Sequence, residues 1–268
     1  MKAVQRTVET HCGIVSYLEA GEGTALVLLH GIGSGAASWT SQLEVFSECY
    51  RVVAWNAPGY GTSDPVGSEV PTSAEYAMHL KALLDALEIP DCHLVGHSLG
   101  AIIATGFAGM CIDRLKSLML ASPASGYGSA GAEIQEQRRT GRMSMMRDLG
   151  PEGLARERHG NLLSENAPQW ARDRVRGVME QLNPDGYRQA VELLVNSDIN
   201  ADAYGFPMPV TVVVGESDSV TSPKDCKFIA KIFAEHYFEI LPGLGHASYV
   251  EGPDLFNLAL DNHLERNR

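Results

Sequence analysis

A chain of 268 residues, 44% hydrophobic and 20% charged, has the composition of a globular protein with one large core, with or without an inserted cap. Its net charge of −12 argues against nucleic acid and anionic membrane surfaces as partners, because both would repel it. Its five cysteines, odd in number and scattered, match neither a disulfide framework nor a zinc spacing, and read as small hydrophobic fillers in a reducing cytoplasm.

The first stretch, Met1 to Gly13, is too polar for the apolar core of a signal peptide, and no run approaches the ~20 apolar residues that span a bilayer. From there, short β-branched runs alternate with longer helical patterns. Ile14–Leu18 and Ala25–Leu29 are the first predicted strands. Ala25–Leu29 is apolar on both faces, as suits a buried strand of a parallel sheet covered by helices on each side. It runs into His30-Gly31-Ile32-Gly33-Ser34-Gly35, a glycine-rich loop whose amides can approach a substrate oxygen closely. The glycines lack the Gly-x-Gly-x-x-Gly spacing of a dinucleotide cradle, and the phosphate-loop lysine is missing. A strand at Arg51–Trp55 and a helix at Thr72–Leu87 follow.

The strongest local signal comes next. A short strand, His93–Val95, meets Gly96-His97-Ser98-Leu99-Gly100, and a helix over Leu99–Gly109 follows directly. Strand, Gly-x-Ser-x-Gly and helix in that order form a nucleophile elbow. The turn is so tight that the positions two before and two after the serine must lack side chains. Its serine adopts a strained conformation that lifts the hydroxyl above the sheet. The helix aims its N-terminal amides at developing negative charge. The expected oxyanion donors are the amides of Leu99, directly after the nucleophile, and of Ile32 in the glycine-rich loop.

After a strand at Leu115–Ala121 the alternation breaks. Between about Ala124 and Tyr204 strand signals vanish, and Val175, Val178, Met179 and Leu182 share one helical face, as do Tyr187, Ala190, Val191 and Leu194. Asn183-Pro184 separates these two helices and is placed to cap the second. The expectation is a core over 1–123 and 206–268 with a helical cap inserted at 124–205. Strands resume at Val210–Val214, whose C-terminal end turns through Gly215-Glu216-Ser217-Asp218. Ser222 before Pro223 starts a helix expected to reach Glu235, and a last strand, Tyr237–Leu241, ends in Pro242-Gly243-Leu244-Gly245-His246. Pro253–Arg266 closes the chain as a helix.

A serine hydroxyl needs a base to become a nucleophile at neutral pH, and that base needs a carboxylate to orient it. Of nine histidines, His246 lies on a turn at a strand end, and Asp218 occupies the matching turn one strand earlier, with Glu216 as the competing acid. The order Ser98, Asp218, His246 is the Ser…Asp…His order of α/β-hydrolases.

At this point nearly the whole chain resembles the α/β-hydrolase superfamily: a doubly wound, mostly parallel sheet with an inserted helical cap. His30-Gly31 and the Asn56-Ala-Pro58-Gly59-Tyr-Gly61-x-Ser63-Asp64 turn strengthen the likeness. His30-Gly-Ile-Gly-Ser-Gly-Ala-Ala-Ser-Trp39 and Glu251-Gly-Pro253-Asp-x-Phe256-Asn257 resemble the meta-cleavage-product carbon–carbon hydrolases of aromatic degradation. That subfamily usually has asparagine before the nucleophile and tryptophan after the histidine, where this chain has His97 and Ala247. Gly-His-Ser-Leu-Gly is more typical of esterases and lactonases. The resemblance therefore implies acyl transfer on a small carboxylic ester or lactone, with carbon–carbon hydrolysis second. A ligand receptor or cofactor-free oxygenase or perhydrolase comes third. Gly33, Trp39 and Trp170 are candidate substrate contacts, as are Met143, Met145 and Met146, and Arg156, Arg158 and Arg172 are candidates for a substrate carboxylate. No metal or cofactor is expected; the expected partner is a small-molecule substrate, and a homo-oligomer is left open.

Overall fold

The computed structural model describes residues 2–203 and 206–268, so the expected end of the insertion at 204–205 lies outside the described residues. In chain order the elements are β1 (Val4–Thr10), β2 (Gly13–Ala20), β3 (Ala25–Leu29), α1 (Thr40–Phe46), β4 (Arg51–Trp55), α2 (Ser73–Ala86), β5 (Cys92–His97), α3 (Leu99–Met110) and β6 (Leu115–Ala121). There follow α4 (Ala132–Arg158), α5 (Gln169–Met179), α6 (Pro184–Asn196), α7 (Ile199–Asp202), β7 (Val210–Gly215), α8 (Pro223–Ala230), β8 (His236–Leu241), α9 (Ser248–Glu251) and α10 (Pro253–Arg266). The strands form one sheet in the order β1-β2-β4-β3-β5-β6-β7-β8, antiparallel at β1–β2–β4 and parallel elsewhere. The fold is α/β.

The two-residue period of the strands divides the core. Val27 and Leu29 of β3 pack with Tyr76 and Leu80 of α2 and with Ile102 and Phe107 of α3. Leu26 and Leu28 point the other way, into a cluster with Leu43 of α1 and Phe256 and Leu260 of α10. A sheet buried on both faces explains the unbroken apolar runs of β3 and β7.

Expected caps form where their residues stand. The Asn183 side chain accepts from the amides of Asp185 and Gly186 with Pro184 at the first turn, and Ser222 accepts from Asp225. Two elements differ from expectation. β1 was not expected, because its residues are almost all exposed and carry no apolar face; only pairing with β2 makes it a strand. The helix expected to reach Glu235 ends at Ala230, where tight turns carry Phe233 into the core against Phe206.

All of α4 to α7 lies between β6 and β7, which pair with each other. α4 is bent at Gly150, whose φ of 64° is followed by Pro151, which cannot continue the hydrogen-bond ladder. Beneath the sheet, a buried polar chain links β5, β6, α10 and β7: His93 Nδ1 to Ser117 Oγ at 2.7 Å, Ser117 Oγ to His263 Nε2 at 2.8 Å, and His263 Nδ1 to Thr211 Oγ1 at 2.8 Å.

Candidate active site

Four parallel strands deliver the site from their C-terminal ends: β3 the glycine-rich loop, β5 Ser98, β7 Asp218 and β8 His246. Ser98 sits between β5 and α3 with φ 54° and ψ −113°, a conformation that side-chain-bearing residues rarely hold. The Ser98 amide donates to Ala121 O at 3.0 Å, and its carbonyl accepts from Ala101 and Ala124, so the strain is fixed from both sides. The flanking glycines are sterically required. A Cβ on Gly96 would run into Gly100 O, and one on Gly100 would come within 2.5 Å of Leu29 O.

Asp218 and His246 are both buried, with His246 Nδ1 2.9 Å from Asp218 Oδ2. The carboxylate also accepts from the amides of Val220 at 2.8 Å and Thr221 at 2.9 Å. The Thr221 hydroxyl lies 2.9 Å from Asp218 Oδ2 and 3.2 Å from His246 Nδ1. Burial pushes the Asp218 carboxyl up. The His246 ring and the Thr221 amide overcome that and bring it down to about 2. Asp218 is thus an anion that fixes the Nδ1–H tautomer of His246 and leaves Nε2 free to accept a proton. Among the described residues no hydrogen bond joins Ser98 Oγ to His246, but both line one cavity of about 390 Å³. Such contacts are often long before substrate binds. Glu216, the competing acid, is exposed and accepts from Gly243 N at 2.9 Å, away from the ring.

The loop after β3 is braced by His30. Its Nδ1 donates to Gly31 O at 2.9 Å, and its Nε2 accepts from Ala57 N at 3.0 Å; burial pushes the imidazole down to about 4. With Ser34 N also donating to Gly31 O, the Ile32 N–H across the same planar peptide is turned the opposite way. Tyr60 OH donates to Ile32 O at 2.8 Å and holds the next peptide. Among the described residues neither Ile32 N nor Leu99 N, at the first turn of α3, has an intramolecular acceptor, and both residues line the cavity. Two such donors suit an anionic oxygen.

Gly33 lines the cavity, where a Cβ would come 2.9 Å from Met179 Cε of α5. The two tryptophans do not line it. Trp39 is fully buried, stacked at 4.0 Å on Tyr249, so it backs a lining residue; Trp170 stands half exposed on the outer face of α5. Met143, Met145 and Met146 are likewise off the wall, and Met179 takes that place. Arg172 is spent on the carbonyls of Ser164, Glu165 and Ala167, and Arg156 is exposed; only Arg158 of those three lines the cavity, joined by Arg142.

Several lining groups had no signal in the sequence. Tyr249 OH donates to Ser38 Oγ at 3.0 Å and lies 3.2 Å from Ser34 Oγ, a hydroxyl cluster contributed by segments far apart in the chain. His97 lies against the loop that carries His246. Its ring packs 4.8 Å from those of His246 and Tyr249, and its Nε2 donates to His246 O at 3.0 Å. Burial, then the nearby His246, hold it down to about 3, so it is neutral and braces the His246 loop. Glu251 does the same from below: its carboxylate accepts from Gly245 N, from Ser164 N and from Ser164 Oγ.

The sequence model described as "Alpha/beta hydrolase family" matches residues 26–259. The chain is 26% identical to 3-oxoadipate enol-lactonase 2 of Acinetobacter baylyi over 90% of this chain and 89% of the relative. It is 37% identical to 2-hydroxy-6-oxo-6-phenylhexa-2,4-dienoate hydrolase of Comamonas testosteroni, over 44% of this chain and 42% of that one. A thermophilic esterase from Thermogutta terrifontis superposes with a TM-score of 0.87 over 98% of both chains at 24% identity, a likeness of fold. With the family pattern running from the first buried strand into the last helix, on this sheet order, the chain is a hydrolase and belongs to the alpha/beta hydrolase family.

Proposed function

We propose that the protein hydrolyses a small carboxylic ester or lactone by acyl transfer through Ser98, His246 and Asp218. The observation that carries this reading is the Asp218–His246 pair, held at 2.9 Å, with His246 in the wall of the cavity onto which the strained Ser98 opens. His246 Nε2 takes the Ser98 proton as Oγ attacks the carbonyl carbon, and the Ile32 and Leu99 amides receive the charge on the carbonyl oxygen. The tetrahedral adduct collapses by breaking the carbon–oxygen bond of the leaving alcohol or enol, to which His246 returns the proton. A water, deprotonated by His246, repeats the attack on the acyl-serine and releases the acid. The segment 124–205 acts as the cap, with Met179, Leu154 and Tyr187 shaping the acyl and leaving-group space.

The likeness to an enol-lactonase along nearly the whole chain supports the ester and lactone class. The dienoate hydrolase, at higher identity over a shorter span, supports a second reading: the same residues hydrolysing a carbon–carbon bond of a vinylogous diketone, in aromatic compound degradation. A cytoplasmic site of action accords with free thiols at Cys92, Cys111 and Cys226, which burial makes unreactive by pushing each up.

The test is turnover of 4-nitrophenyl esters of rising acyl length beside Ser98→Ala. A cavity at the small end of the ligand-pocket range predicts rates falling beyond about six acyl carbons. Loss of the serine is expected to lower kcat by roughly 10⁶-fold. Wild-type protein inert on every ester, but active on dienoate ring-fission products, would transfer the assignment to carbon–carbon hydrolysis; tight binding without turnover would make it a receptor.

A further inference from the structure

The cavity has charge at one end that the acyl-transfer machinery does not use. Two arginines of α4, Arg142 and Arg158, line the same cavity as Ser98. Four arginines of the segment between β6 and β7 meet carboxylates: Arg139 meets Glu136 and Glu192, Arg147 meets Asp148, Arg176 meets Glu180, and Arg188 meets Glu69, while Arg138, Arg156, Arg172 and Arg174 do not line the cavity. Among the described residues, Arg142 and Arg158 meet none. Arg142 Nη1 donates to Arg138 O at 3.3 Å, and its guanidinium lies 5.9 Å over the Tyr127 ring, which holds it in place without neutralising it.

Tyr187 lines the cavity with both arginines; burial pushes its phenol up, and Arg142 and Arg158 act on it in the opposite direction. The acidic side chain on the wall is Asp225, across by α8, exposed and accepting from Ser222 Oγ at 2.6 Å. In a chain of net charge −12, two arginines without carboxylate partners on one cavity form a local field of opposite sign to the chain's net charge. A planar guanidinium fork binds a carboxylate with two parallel hydrogen bonds.

We infer that Arg142 and Arg158 form a carboxylate subsite, so that the substrate is an ester or lactone carrying a free carboxylate away from the reacting carbonyl. This rests on the acyl-transfer reading and adds the class of substrate to it. The carboxylate is bound and not transformed; it sets which end of the substrate lies toward α4 when the carbonyl carbon reaches Ser98 Oγ.

Two substrate pairs test it, one for each end of the ester. Mono-(4-nitrophenyl) adipate is compared with 4-nitrophenyl hexanoate, and 4-acetoxybenzoate with its methyl ester. The wild type is expected to favour the charged member of at least one pair in kcat/KM by roughly ten- to hundredfold, the range of charge-assisted hydrogen bonds. Arg142→Gln with Arg158→Gln should collapse that ratio toward one, chiefly through KM, whereas Arg156→Gln, on the same helix but off the cavity lining, should leave the ratio as it is. A neutral preference in both pairs, or a ratio unmoved by the double variant, would overturn the subsite. If the wild type hydrolyses none of the esters, the acyl-transfer reading fails. The subsite is then judged by calorimetry of benzoate and monomethyl adipate on Ser98→Ala protein. Binding abolished by the double variant supports it, and absence of binding overturns it.

Discussion

Asp218 is held by four donors: three N–H groups and the Thr221 hydroxyl converge on its two oxygens. Asp218→Asn would keep the size but force an N–H or a neutral oxygen against His246 Nδ1, favouring the wrong tautomer. Steady-state kinetics should show kcat lower by roughly 10⁴-fold with KM little changed. Thr221→Val, which removes the hydroxyl and keeps the amide, should cost about tenfold, the share of one buried hydrogen bond. Ser98, Asp218 and His246 could be read from the sequence because each closes a strand or the turn after it, and short loops after buried strands leave local marks. Tyr249 and His97 could not be read in this way: their roles depend on contacts between segments more than a hundred residues apart. Trp39 and Trp170 show the same limit from the other side, since spacing does not say whether an aromatic side chain faces a cavity, the core or water.

Glu251 joins two elements that the chain order keeps apart, the loop carrying His246 and the turn after α4 at Ser164, and Ala247 N adds a bond to Leu162 O at 2.7 Å. Glu251→Ala would leave the buried donors of Ser164 and Gly245 unpaired, at about 1–3 kcal/mol for each stranded group. The melting temperature should fall by several degrees. Limited proteolysis should newly cut near 159–168 while the sheet resists. Equal resistance of variant and wild type at that turn would mean that the clamp is not what holds the helices down. Most elements were legible as periodicity: strands apolar on both faces, and capped helices with one apolar stripe. β1 was not, because a strand made by pairing alone carries no pattern of its own. Nor was the bend in α4, where Gly150 and Pro151 sit inside a helix with few buried residues.

Across the whole molecule, burial holds His30 and His93 down to about 4, and His97 and His263 down to about 3, against the usual 6.5. Each must unfold to be protonated in that interval, so the unfolded chain binds more protons than the native one between about pH 6.5 and pH 3. Their contribution is complete above the unfolded value and is lost as pH falls toward the folded ones. Asp218 extends the loss further, because its contribution is complete above 3.8 and disappears as pH falls through about 2. Thermal melts from pH 8 down to pH 4 should show a plateau and then a steady fall beginning near pH 6.5. Melting temperatures flat down to pH 4 would show that these histidines are not buried neutral in solution.

The pairing of β6 with β7 has one more consequence. Leu118 faces Val210 and Ala121 faces Val213, so the chain leaves the sheet and re-enters it on adjacent strands after a detour of nearly a third of its length. A detour whose two ends are already fastened together by the scaffold behaves as an exchangeable cassette. Transplanting the equivalent helices from a related hydrolase between those strands would give the same chemistry a different choice of substrate.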